Sequence, residues 1–298
     1  MANRIHKDTS VGVVGVGLMG HGIALNIAKN GYPLTILAHE GNQPVEDLLA
    51  LGVQQADTLP QLAAQVDVII LCVTGTPEIE QILYQPDGLL KNLRPSTTVI
   101  DCSTAIPSST EKIAIDITRA KGQFLDAPMT RTPKEAAEGR LNLIIGGDVE
   151  VYTACLPLLK SFAENIVHAG PVGSGHRMKL IHNFVSLGFS TVLAEAAACA
   201  QKTGVDPQVL LNILSAGGGK GVVLDRLTPF IRSEDDSGFR FTVSNAHKDL
   251  HYYTQMAESA GCFHDTAMAV EQVLALGVKA DQKATMPQLI KIMQTQQA

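Results

Sequence analysis

The apolar positions of this chain fall into two regimes. Up to about residue 170, short apolar runs alternate with helical stretches, and beyond it long helical periodicity dominates. Val11-Gly-Val-Val14 is a short β-rich run that ends in glycines. Leu18 to Lys29 follows with a helical pattern that stops at Asn30-Gly31, and Leu34-Thr-Ile-Leu37 reads as the next strand. Val66 to Val73, Thr98 to Cys102, Gln123 to Ala127 and Leu141 to Gly146 are further apolar runs, separated by helical segments such as Thr110 to Ala120. Near-continuous apolar runs suit strands buried on both faces of a parallel sheet. Strands alternating with helices predict a doubly wound α/β fold. The second regime predicts one long helix near 174–203, with Ser174 as N-cap and Gly204 as terminator. Helices over Pro207–Ser215, Ala246–Ser259, Thr266–Ala275 and Met286–Gln294 follow. The expected organisation is a sheet domain over 1–170 and an all-α domain over 171–298, with the long helix as the floor of a cleft between them.

Composition narrows the class. The chain has 298 residues, 45% of them hydrophobic and 17% charged, which suits a compact globular protein of one or two domains. The net charge of -6 and the lack of a basic stripe argue against nucleic acid as partner. No apolar run reaches the length expected of a membrane span, and MANRIHKDTS lacks the apolar stretch of a secretory signal. Five cysteines (Cys72, Cys102, Cys155, Cys199, Cys262) without CxxC spacing suggest reduced thiols and a cytoplasmic setting. His247, His251 and His264 have no zinc-site arrangement, so no metal is expected.

The glycines after the first strand carry chemistry. Gly15, Gly17 and Gly20 match G-x-G-x-x-G between a strand and a helix, with Leu18 and Met19 in the turn. The first glycine permits the tight turn, the second lets backbone approach a pyrophosphate, and the third allows close helix–strand packing. This spacing predicts a Rossmann domain that binds a dinucleotide at a helix N-terminus. Ligands of such sheets sit beyond the carboxyl ends of the strands. That rim includes Val73, Ser103, Thr104 and the segment after Asp126. Where a ribose-binding carboxylate is usual, the second strand ends in Ala38, followed by His39 and Glu40. Glu40 could substitute for that carboxylate, or His39 could instead face a 2′-phosphate. No Lys or Arg occurs between Gly31 and Leu90, which favours NAD over NADP.

In the long helix, Lys179 and Asn183 are four apart and share a face, with His182 three from the lysine. A position near the helix start and burial in a cleft both disfavour an ammonium, bringing the lysine toward general acid–base use. The plainer alternative is a solvated lysine. GVGLMG (15–20), DCST (101–104), GSGHRMKLIHN (173–183) and HKDL (247–250) occur in this order. Together they resemble the β-hydroxyacid dehydrogenase family, over nearly the whole chain. The resemblance implies a C-terminal helical domain of the 6-phosphogluconate dehydrogenase type. It implies that Lys179 is the catalytic lysine and Asn183 its substrate-binding neighbour. It also implies that Ser103 contacts substrate, that Thr104 lies near the cofactor, and that Lys248 closes over it. Lys248 has an alternative as an exposed lysine paired with Asp249 or Glu258. A homodimer or homotetramer is the implied assembly.

One loop departs from the family pattern. The family often carries S-G-G after DAP, whereas this chain has DAPMTRTP over 126–133. Thr132, Pro133 and Glu135 form a T-P-x-E helix start that ends at Gly139. Arg131 therefore precedes a helix N-terminus, where a guanidinium would receive an oxyanion; the alternative is a turn arginine paired with Glu135 or Glu138. The arginine loop, HRMKLIHNFVS (176–186) and GGGKG (217–221) are similar to the sulfolactaldehyde reductase-like subgroup. There the resemblance implies an arginine that holds a sulfonate, and His182, Phe184 and Ser186 complete the substrate-binding candidates. The expected reaction is reduction of a short anionic aldehyde, sulfolactaldehyde or succinic semialdehyde, or oxidation of the matching β-hydroxyacid. Alternatives are a 3-hydroxyisobutyrate or tartronate semialdehyde type of enzyme, imine reduction, and a catalytically silent cofactor-binding sensor.

Overall fold

The computed structural model describes residues 5–295, and its internal contacts divide the chain into two compact units, Met1–Lys179 and Leu180–Ala298. In the first unit, β1 (Val11–Val14), α1 (Gly20–Lys29), β2 (Leu34–Leu37), α2 (Glu46–Ala50), β3 (Gln54–Ala56), α3 (Leu59–Gln65) and β4 (Val68–Leu71) come first. There follow α4 (Thr76–Tyr84), α5 (Leu89–Asn92), β5 (Thr98–Asp101), α6 (Pro107–Arg119), β6 (Gln123–Asp126), β7 (Met129–Thr130) and α7 (Pro133–Ala137). Then come β8 (Leu141–Gly147), α8 (Val149–Leu159) and β9 (Ala163–Gly170).

Among the described residues these strands form one sheet in the order β3-β2-β1-β4-β5-β6-β8-β7, with β9 paired to β8. β1 to β6 run parallel, whereas β8 is antiparallel to β6 and β7 and parallel to β9. The chain order reverses between β1 and β4, which makes their carboxyl ends the switch point of the sheet. The register puts Val14 beside Leu71, Leu71 beside Asp101 and Asp101 beside Asp126. The residues that follow these four therefore share one rim.

Alternate side chains serve opposite faces. Val13, Ile70, Ile100 and Leu125 pack with Ile23 and Ile27 of α1. Ile69, Leu71, Val99 and Phe124 pack with Leu62, Ile79 and Ile113 from α3, α4 and α6. Each buried aliphatic side chain contributes about 1.5–3 kcal/mol. That exceeds the roughly 1 kcal/mol span of strand propensities, so coverage on both faces is what holds four-residue strands in place.

The second unit is helical. α9 (Ser174–Lys202) runs through the division between the units, and α10 (Pro207–Ala216), α11 (Val222–Ser233), α12 (Val243–Ser259), α13 (Asp265–Ala280) and α14 (Leu289–Thr295) follow. Leu187, Leu193, Leu211, Leu227, Phe230, Leu250, Leu274 and Leu289 form its core. By length and composition α9 meets the measure of a membrane span, with mean hydropathy 1.3 over its best window, which corrects the expectation that no segment does. Its polar residues interrupt any continuous run while leaving the average high. Half of that window is buried inside the protein.

Ser174 is the first helical residue of α9 rather than a cap before it. The capping carboxylate comes from β6 instead. Asp126 Oδ1 accepts from Gly173 N–H at 2.8 Å and Oδ2 from His176 N–H at 2.9 Å. The positive end of this helix is thus already met by an anion. This offsets the helix dipole in the turn that precedes Lys179.

Candidate functional site

The glycine turn has the shape its spacing predicts. Gly15 has φ +94, and a Cβ on it would press on the Cys72 carbonyl. A Cβ on Gly20 would collide with the Gly15 carbonyl oxygen. Around Gly17 a Cβ would meet nothing within 4 Å, so this residue leaves open space beside the N-terminus of α1. Close packing at the first and third glycines, and open space at the second, fit the pyrophosphate of a dinucleotide. Leu18 in the same turn is 63% exposed, and Met19 is half-buried.

Asn42, which no motif in the sequence marks, joins the second strand's loop to this turn. Its Oδ1 accepts from Val16 N–H at 3.1 Å and its Nδ2 donates to Leu37 O at 2.9 Å. Between these anchors Ala38 is half-buried, while His39 and Glu40 are exposed. Gly41 N–H donates to His39 Nδ1 at 3.0 Å, so Nδ1 is taken up within the loop.

On the same rim, Val73 N–H donates to Ser103 Oγ at 3.0 Å and Ser103 N–H donates to Asp101 Oδ1 at 2.9 Å. Ser103 is buried, and Thr104 beside it is half-buried. Burial raises the Asp101 carboxyl above the ordinary carboxylate range. Burial also pushes the Cys72 thiol up to about 12 and the Cys102 thiol well above its usual value, so neither is a thiolate nucleophile. Lys179, half-buried in the second turn of α9, donates from Nζ to Met129 O at 2.6 Å. The segment 126–129 therefore holds α9 twice, through the Asp126 carboxylate and through the Met129 carbonyl.

Arg131 is held by residues distant in sequence. Its guanidinium hydrogen-bonds the Glu164 carboxylate of β9 and the Arg140 carbonyl just before β8. Neither acidic partner expected from the sequence takes it. Glu135 closes the capping box, accepting from Thr132 N–H at 3.0 Å and from its hydroxyl at 2.5 Å, and Glu138 pairs with Arg140. The Thr132 bond holds the Glu135 carboxyl below the ordinary range. Arg131 also adopts φ +84, a left-handed backbone that a non-glycine residue seldom takes.

In the second unit, Asn183 is buried and its Nδ2 donates to Asp249 Oδ2 at 2.7 Å. His182 Nδ1 lies 3.0 Å from Asn183 Oδ1. Lys248 Nζ is 3.2 Å from Asp249 Oδ1, a charge contact without directed hydrogen-bond geometry. One buried carboxylate thus organises both Asn183 and Lys248. Phe184 turns to the helical core and stacks on Tyr253 with centroids 4.4 Å apart. Ser186, half-buried, lies on the helix face of Asn183, three residues on. Among the described residues no cluster of His, Cys, Asp or Glu could hold a metal ion.

Residues 10–170 match the family of the NAD binding domain of 6-phosphogluconate dehydrogenase. Residues 173–293 match the family described as NAD-binding of NADP-dependent 3-hydroxyisobutyrate dehydrogenase. The chain is 31% identical to an NAD-dependent L-serine dehydrogenase of Pseudomonas aeruginosa, covering 74% of each chain. It is 29% identical to a 2-hydroxy-3-oxopropionate reductase of Escherichia coli, covering 84% of each chain. Its fold is that of 3-hydroxyisobutyrate dehydrogenase of Mycobacterium tuberculosis solved with L-serine, at TM-score 0.84 and 22% identity, over 97% of this chain and 100% of that one. The glycine cradle and these matches define a nicotinamide-dependent oxidoreductase that acts on a hydroxyl group. The chain belongs to the β-hydroxyacid dehydrogenase family.

Proposed function

We propose that this protein reduces a short aldehyde bearing an acid group, or oxidises the matching hydroxyacid, with Lys179 as the proton-transfer residue. The observation that carries this reading is the tethered Lys179, half-buried with Nζ on Met129 O. Asn183 stands one helical turn on, its amide fixed by Asp249. A bound reduced nicotinamide supplies the hydride. As charge develops on the aldehyde oxygen, Lys179 stabilises and protonates it, and in the reverse direction a neutral Lys179 takes the hydroxyl proton. The resemblance assigns Asn183, Ser103 and His182 to the substrate and Lys248 to the cofactor.

NAD is the favoured cofactor. His39 and Glu40 are exposed at the loop that meets the ribose, with no lysine or arginine between residues 31 and 90 to pair with a 2′-phosphate. For substrate, the relatives' names specify short molecules that pair an acid group with a hydroxymethyl or aldehyde group. Arg131 in place of the glycine-rich loop supports an anion with a longer reach, sulfolactaldehyde or succinic semialdehyde. In that reading the substrate anion competes with Glu164 for the guanidinium.

The test is initial-rate oxidation of NADH and of NADPH with sulfolactaldehyde, succinic semialdehyde and tartronate semialdehyde, for wild type and Lys179→Ala. Loss of kcat by about a hundredfold or more, with NADH affinity kept, supports Lys179 as the proton donor. A Lys179→Ala enzyme at the wild-type rate removes it. Preference for tartronate semialdehyde overturns the longer anionic substrates.

A further inference from the structure

Beneath the rim of the first unit lies a buried histidine that the proposed chemistry leaves unused. His176 is 0% exposed, on the first turn of α9, three residues before Lys179. Its Nε2 is 3.2 Å from the Ser103 carbonyl oxygen. A carbonyl only accepts, so Nε2 carries a hydrogen and donates. Its Nδ1 is 2.8 Å from Thr110 Oγ1 of α6, and its backbone N–H donates to Asp126 at the end of β6. The ring lies between two buried carboxylates, with Asp101 and Asp126 oxygens each 3.9 Å away. One side chain therefore reaches the loop after β5, the first turn of α6 and the end of β6 from the helix that carries the lysine. The space is closed as well as polar, because a Cβ on Gly175 would press on Asp126 and the Ile144 carbonyl.

We infer that His176 is a positioning residue that clamps the start of α9 to the Ser103 loop and to α6, and so fixes where Lys179 presents its amine. Two buried hydrogen bonds, made through a ring with few rotamers, hold the helix in both rotation and translation. Release of the clamp leaves the helix start held only by Asp126 and Met129, and so loosens it, while leaving the glycine turn, at the end of β1, as it was. Because small misplacement of a catalytic group costs rate steeply, the loss falls on kcat rather than on cofactor affinity. This inference rests on Lys179 being the proton-transfer residue.

The experiment compares His176→Leu, His176→Gln, Thr110→Val and Lys179→Ala in the full chain. Each is measured for kcat, KM, NADH affinity, and amide hydrogen exchange of the peptide spanning residues 173–183. His176→Leu is expected to lower kcat by about tenfold or more, to leave NADH affinity unchanged, and to speed exchange in that peptide. His176→Gln, whose amide supplies a donor and an acceptor, is expected to recover most of the rate and of the protection. Thr110→Val keeps the ring and removes one partner, so it is expected to move kcat and exchange in the same direction by less; it decides the matter if His176→Leu does not fold. Wild-type kcat and exchange in His176→Leu, or a His176→Gln enzyme as impaired as the leucine variant, would overturn the clamp. Lys179→Ala at the wild-type rate would instead overturn the proton-transfer reading, and the exchange data would still decide the clamp.

Discussion

Asn183 and Asp249 are both buried, and the amide of one donates to the carboxylate of the other across 2.7 Å. The bond fixes which way the asparagine amide points. Replacing Asp249 by Ala leaves the amide without its acceptor and removes one charge partner of Lys248. It is expected to cost about 1–3 kcal/mol in urea unfolding and to lower kcat/KM for any aldehyde substrate. An Asp249→Ala protein that is as stable and active as wild type would exclude the carboxylate from the site.

Gly17 and Gly20 should fail in different ways. A Cβ at Gly20 overlaps the Gly15 carbonyl, so Gly20→Ala must shift the turn and is expected to lower stability by about 1–3 kcal/mol. A Cβ at Gly17 meets no protein atom. Gly17→Ala is therefore expected to unfold at the wild-type temperature while binding NADH more weakly. Thermal melts and fluorescence titration separate the two, and wild-type NADH affinity in Gly17→Ala would place the pyrophosphate elsewhere.

Arg131 and Glu164 make opposite predictions for anionic aldehydes. Arg131→Ala should raise KM for them and spare neutral aldehydes. Glu164→Gln weakens the competing grip and should lower KM for the same substrates. A partly exposed pair is worth up to about 1 kcal/mol, so a change of up to about fivefold is the expected scale. Equal effects on charged and neutral aldehydes would leave Arg131 a structural residue only.

Asp101 sets a pH dependence of stability. Burial raises its folded-state carboxyl above the unfolded value, so the folded protein holds the proton more tightly. Its contribution is complete below the unfolded range of about 4 and is lost as pH rises through the raised folded value. Asp101→Asn keeps an acceptor for Ser103 N–H and has no proton to lose. Its unfolding free energy relative to wild type should therefore increase with pH across that window. A difference that stays constant with pH would show that Asp101 does not titrate on unfolding.

The features visible in the sequence are those whose physics is local. The glycine spacing, the apolar runs of β4 and β5, and the Thr132–Glu135 helix start each depend on a few neighbouring residues. α11 escaped notice because the glycines at 217–219 and 221 precede it and Pro229 lies inside it. β9 shows mostly half-buried and exposed positions, with no apolar run to signal a strand. The site's supports are non-local. Asp126 reaches 50 residues to the His176 amide, and Asp249 reaches 66 to Asn183. Arg131 was identifiable as unusual, but its direction depends on Glu164, 33 residues away.

The left-handed backbone at Arg131 makes the loop editable in one dimension. Its φ of +84 is a conformation that glycine adopts without cost and that an arginine occupies under strain of about 1–3 kcal/mol. Exchange of arginine for glycine at this position therefore deletes a charge without rebuilding the turn, and the reverse exchange installs one on an existing frame. A β-branched residue there would have to break the turn. On the proposed role of Arg131, a change of anion preference is a single-codon change at position 131, whereas a change in the shape of the loop is not.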